Sequence, residues 1–265
     1  MRAYFAVFGA RMRSLLRYRT AALAGIGTQF VFGAILLAGR QAYANLPGAP
    51  QPMTAEQLAT YTWLCQAFFA LSPYTSDPDP EVGRMIRDGT VAYELARPVD
   101  LHGMWFARQA ANRVAPALLR CVPVLLLAGC FLGLRPPADS ATAAVFAVSM
   151  VCTAMLVAAW TTWITATLFW TISGAGIARI APVLTMAASG QLVPLAVFPD
   201  AYRDLLSWLP FAGMVDIPFS IWTGAAHPTE WGLLLLRQVG WTVILVLAGR
   251  WTLARGLRRV VVQGG

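Results

Sequence analysis

The sequence has no lysine: all twenty basic residues among its 265 are arginine. A phosphate-binding loop of the Gly-rich type ends in Lys-Ser or Lys-Thr, so this chain cannot supply a Walker-type nucleotide site and is not expected to hydrolyse ATP by itself. Charge of either sign is scarce, at 12% of residues against roughly 25% in soluble proteins. With 58% hydrophobic residues and a mean hydropathy of +0.60, no soluble surface can be built, whereas a bilayer requires an apolar exterior. Histidine is limited to His102 and His227, far apart, and no HExxH occurs. The four cysteines, Cys65, Cys121, Cys130 and Cys152, lie inside apolar runs without metal-ligand spacing, which argues against zinc and against a disulfide framework.

What is abundant is long apolar sequence. Runs near 20–39, 57–76, 106–134, 141–172, 175–198 and 229–251 predict six membrane spans in one all-α transmembrane domain over 1–265. The formal charge of +8 would suggest nucleic acid if the arginines formed a stripe, but they cluster at the ends of these runs, so no nucleic-acid partner is expected. In the six-span arrangement twelve arginines (2, 11, 13, 17, 19, 84, 87, 97, 179, 255, 258 and 259) fall on one side and three (40, 135 and 203) on the other. This predicts cytoplasmic N and C termini. Ala42-Tyr43-Ala44 resembles a cleavage site, but the run before it is too long for a signal core.

Residues 1–19 alternate arginines with Tyr4, Phe5, Val7, Phe8, Leu15 and Leu16, which suits an interfacial amphipathic helix or a simple basic anchor. Gly174-Ala175-Gly176 lacks a third glycine and reads as a link between spans. The twelve carboxylates are expected in loops or at span ends, which counts against an ion-coupled carrier and an intramembrane protease.

Gln109, Arg113, Pro116, Arg120 and Pro123 share a face of the third span. Two readings stand: a helix whose first turns protrude with Arg120 snorkelling, or a stripe lining a cavity or subunit seam. Trp160, Trp163, Thr167 and Trp170 share a face of the fourth, where packing competes with contact to an amphiphilic substrate. Arg113, Arg120, Trp160, Trp163 and Thr167 are therefore the substrate-path candidates. Residues 198–228 are apolar but broken by Pro199, Pro210 and Pro218, which predicts short interfacial or re-entrant outer helices between spans five and six.

The segment 77–104 is the longest predicted cytoplasmic connection. Its Asp-Pro-Asp-Pro lead-in, Glu81 in a first helical turn and Gly89 predict a helix from Glu81 to Asp88, followed by a second short segment over Val91 to Ala96. Val82, Met85, Ile86, Tyr93 and Leu95 stand among Glu81, Arg84, Arg87, Asp88, Glu94 and Arg97, a mixture suited to a protein groove.

Nearly the whole chain resembles the permeases of bacterial type-2 ABC exporters, in the branch that often occurs as paired, non-identical subunits. The most specific pieces are Ile86-Arg87-Asp88-Gly89 with Tyr93-Glu94-Leu95-Ala96-Arg97-Pro98, and Phe198-Pro199 with Trp208-Leu209-Pro210-Phe211 and Pro218. The resemblance implies a bacterial inner-membrane subunit that exports an amphiphilic small molecule. It also implies ATP and magnesium on separate cytoplasmic ATPase subunits, no cofactor of its own and a second permease, identical or paralogous. A coupling role is expected for Glu81, Arg84, Met85, Arg87, Asp88, Gly89, Tyr93, Glu94 and Arg97. The competing readings are a membrane-embedded enzyme or assembly factor using the polar stripe or the Ser220 to His227 region, and an ion-coupled carrier or channel.

Overall fold

A computed structural model describes residues 2–17, 19–47, 51–73, 79–170 and 175–258. Eleven α-helices appear among them, with no strand: α1 (Arg2–Leu16), α2 (Arg19–Ala44), α3 (Ala55–Ala67), α4 (Pro80–Arg87), α5 (Ala92–Leu95), α6 (Leu101–Phe131), α7 (Ser140–Thr167), α8 (Ala175–Ala188), α9 (Asp200–Trp208), α10 (Asp216–Thr223) and α11 (Trp231–Leu257). The starts are set by side-chain caps. Thr54 and Gln57 form a reciprocal capping box on α3, and Asp79, Asp100 and Asp139 accept the first free amides of α4, α6 and α7. Gly224 closes α10 at φ 71°.

Among the described residues, three helical stretches are long and apolar enough to cross a membrane: Leu101–Phe131, Ser140–Thr167 and Pro228–Leu257. The second predicted run is cut at Ala67, where a 3-10 turn over Phe69–Leu71 and then Ser72 follow. The fifth is cut at Ala188, before Gly190 at φ 88°. At 13 and 14 residues these two helices reach only about 20 Å each, short of a hydrocarbon core of about 30 Å. Apolar composition marked both runs but not the glycine and the 3-10 turn that divide them. Residues 74–78, 171–174 and 259–265, including Asp77, Gly174 and Arg259, lie outside the described set.

The frame is α7 against α11, with α6 beside α7. Glycines set the close approach: a Cβ on Gly249 would lie 2.7 Å from His102 Nε2, and one on Gly256 2.8 Å from Phe169 Cβ. Gln238 of α11 is fully buried and binds Ser149 and Thr153 of α7 and the carbonyl of Gly213, so this polar group is satisfied within the bundle. The main core joins Tyr61, Trp63 and Leu64 to Leu156, Val157, Met214 and Ile221, and a second cluster of Val82, Val91, Met104, Trp105 and Leu253 lies beneath α4 and α5. Helix α1 lies along the first turns of α6, with Tyr4 over Gly103 and Arg11 Nε donating to Asn112 Oδ1 at 2.8 Å.

Candidate functional site

Asp79 begins one candidate site. Its Oδ1 accepts from the amides of Glu81 and Val82 at 3.2 Å, and Pro80 needs no donor at the first helical position. The same carboxylate, 2% exposed, pairs with Arg108 Nε at 2.8 Å, while Glu81 pairs with Arg108 and, at 3.6 Å, with Arg11. Helix α4 is thus tied to α6 and α1 by charge, and beneath it by Val82, which is fully buried. Gly89, at φ 71°, turns the chain so that Val91 N donates to Met85 O at 3.0 Å and α5 folds back. Glu94 Oε2 then accepts from Trp105 Nε1 at 2.8 Å.

The predicted coupling residues divide accordingly. Met85 and Glu94 are half-buried and Glu81, though exposed, is held by Arg108 and Arg11, whereas Arg84, Arg87, Asp88, Gly89, Tyr93 and Arg97 are exposed. Tyr93 is 77% exposed, and Arg84, Arg87 and Arg97 make no ion pair among the described residues. The result is a small braced platform with an uncovered aromatic and three unpaired cations, chemistry suited to a protein partner.

The predicted path residues line none of the described cavities. Arg113 is buried, with Nη1 donating to Ser72 O at 3.3 Å, and Arg120 lies against α2, its guanidinium 3.3 Å from where a Gly25 Cβ would be. Gln109 and Arg113 are thus covered within one chain, and Arg120 is half-buried. Trp160 packs edge-on to Trp163 and Phe211, Trp163 Nε1 donates to Thr252 Oγ1 at 3.2 Å, and Thr167 Oγ1 donates to Ile164 O at 2.6 Å. These are packing contacts between α7, α11 and the turn before α10. Gly129 and Gly133, four positions apart, are also open: a Cβ on either would meet none of the described residues within 4 Å.

The largest described cavity, 610 Å³, lies elsewhere, between the end of α2 and residues 192–199. At its base Arg40, 8% exposed, donates to Thr62 Oγ1 at 2.7 Å, to Gln191 O at 2.6 Å and to Leu192 O at 2.9 and 3.1 Å. Beside it Tyr61 Oη lies 2.9 Å from Asp216 Oδ1 and 3.1 Å from Gly190 O, and Leu195 N donates to the same carboxylate at 3.2 Å. Asp216 is thus enclosed by three elements, unlike the loop carboxylate expected from its position. Nothing local in the sequence marks this cluster. Arg40 reads as a flank of the first run, and its partners lie up to 152 positions away.

A search of curated proteins gives no match. Residues 53–264 match the family model described as ABC-2 family transporter protein. That segment contains the braced platform, all three long apolar helices and the enclosed Asp216, and it shows that the chain belongs to the ABC-2 family of transporter proteins.

Proposed function

We propose that this multi-pass ABC transporter permease exports an amphiphilic small molecule, and that α4 and α5 are where its ATPase subunits dock. The family implies the ATPase partner; the choice of docking site and direction are this reading's own. Crossings by α2, α6, α7 and α11, with α3 and α8 completed by the segments that follow them, give six passes with both termini in the cytoplasm. The arginine distribution supports this orientation. Alternating access then follows from ATPase closure pulling or pushing on the platform.

The observation that carries the reading is the division within α4 and α5. Their inward residues bind α6 and α1 through ion pairs and Trp105, while Arg87, Tyr93 and Arg97 face outward without partners. A platform held this way passes force to a long helix without being consumed by its own internal contacts. Replacing Arg87 and Tyr93 by alanine tests it in a reconstituted transporter. Copurification with the ATPase or transport-coupled hydrolysis should fall sharply, with the permease's thermal midpoint unchanged because both side chains are exposed. Normal copurification and normal transport would place docking elsewhere.

A further inference from the structure

Arg40 forms no ion pair with the described residues. Its four hydrogen bonds all go to neutral acceptors, two backbone carbonyls and one hydroxyl, and no described carboxylate lies within 4.0 Å. Buried charges are normally paired, because neutral acceptors replace only part of the lost hydration. A guanidinium has five N–H donors, so one on Nη1 is left over. The ring of Tyr61, 5.6 Å away, adds a weak cation–π contact, and Asp216 on its far side is outside ion-pair distance and accepts from Tyr61 Oη and Leu195 N instead.

Apart from Arg40, Tyr43 and Gln51, the side chains that line the cavity are apolar. Leu36 and Gly39 form one wall with Arg40, and Leu192, Val193 and Phe198 form the other. Its apolar surface continues along α2 through Ile35, Phe32 and Val31, which are 60%, 57% and 60% exposed. Those positions recur at helical spacing, so they extend the cavity as a strip and not as scattered residues. At 610 Å³ the space is of ordinary ligand size.

We propose that this cavity binds an anionic amphiphile: a phosphate, sulfate or carboxylate head on Arg40 and an apolar chain between α2 and the Leu192–Phe198 wall. It rests on the permease reading in taking this molecule as cargo. A cationic head is repelled by the guanidinium, and an uncharged one leaves its charge unanswered. A compact anion without a chain leaves the apolar walls unfilled.

The test uses the purified full chain in nanodiscs of neutral phospholipid, without ATPase, titrated calorimetrically with dodecyl phosphate, dodecyl maltoside, dodecyltrimethylammonium and inorganic phosphate. Dodecyl phosphate should bind at least about tenfold more tightly than the other three. Gly39→Leu is the decisive variant, because a Cβ at this position meets nothing within 4 Å and the new side chain fills the cavity without displacing protein. It should weaken dodecyl phosphate by about tenfold or more and leave the thermal midpoint in place. Arg40→Gln should remove the preference for the anionic head; if that variant fails to fold, Gly39→Leu still decides. Equal affinity for all three heads with no effect of Gly39→Leu would mean a crevice filled by bulk lipid and would overturn the proposal. So would inorganic phosphate binding as tightly as dodecyl phosphate. Copurification of the unaltered chain with an ATPase tests the permease reading separately, so the two can fail independently.

Discussion

Two polar clusters hold this molecule together, and they are built on opposite rules. Around α4 the polar groups are ions of opposite sign drawn from a short stretch of sequence, 79–113 with Arg11, and partly open to solvent. Around Arg40 they are one cation, one carboxylate and neutral oxygens from α2, α3, the Gly190–Leu195 turn and α10, and they are enclosed. The pairs of Glu81 are open to solvent, where one pair contributes typically about 0–1 kcal/mol and tolerates movement, whereas Asp79 beneath them is 2% exposed. Enclosed hydrogen bonds tolerate little, because each broken one leaves a desolvated group. The comparison teaches that the first cluster is suited to a moving contact and the second to fixing a wall.

The sharpest way to break this comparison is Gly190→Val. The backbone there is left-handed at φ 88°, and a Cβ would sit 2.5 Å from Tyr61 Oη and 3.0 Å from Asp216 Oδ1. A loss above about 3 kcal/mol is expected, seen as disappearance of the monodisperse species in size-exclusion chromatography. A variant as stable as the parent would show that the Arg40 cluster fixes nothing.

Next in size is Arg108→Met, which strands Asp79 at 2% exposure and should cost about 3 kcal/mol of local stability around α4. Hydrogen exchange over residues 80–95 is the measurement. Adding Asp79→Asn should recover part of the loss, since the stranded charge is then removed. No change in exchange in the single variant would mean that α4 is held by its apolar face alone.

Tyr61→Phe should cost about 1–2 kcal/mol, because Asp216 and Gly190 O lose a donor without loss of packing. The thermal midpoint checks it, and a stabilised variant would contradict the enclosed-cluster account.

The smallest effect is expected outside both clusters, at Asp139, which is fully exposed. The amide of Thr142, and then its hydroxyl, hold this carboxyl below its usual value of 3.8. A lowered pKa in the fold gives stability that is present above 3.8 and lost as pH falls through the lowered value. Asp139→Asn should flatten that acid limb while leaving the neutral-pH midpoint nearly unchanged; an identical acid limb in both proteins would assign it to other carboxylates.

The parts that were legible from sequence are those whose signals are local. Asp79-Pro80 and Gly89 mark the limits of α4 because a cap and a left-handed turn each need one residue type at one place. Residues 198–228 hold the short helices α9 and α10, with Pro199 just before one and Pro218 in the first turn of the other. Periodicity correctly put Gln109, Arg113 and Arg120 on one face of α6, but it does not say what covers a face. Here the carbonyl of Ser72 and helix α2 do. Trp160 and Trp163 likewise share a face of α7, and what covers it is Phe211 and α11. Hydropathy overstated α3 and α8 because it averages across the turns that end them.

The length of α6 sets a mechanical ratio. Its 31 residues extend about 46 Å, some 16 Å more than the hydrocarbon layer it crosses. The excess is a little over ten residues, a stretch that reaches from Leu101 past Trp105 and Arg108, the residues on which α4 and α5 rest. Pro116 and Pro123, seven positions apart, interrupt the same side of the helix just beyond it. The end of α6 that carries α4 and α5 is thus also the end along which α1 lies, and the two prolines separate it from the rest of the helix.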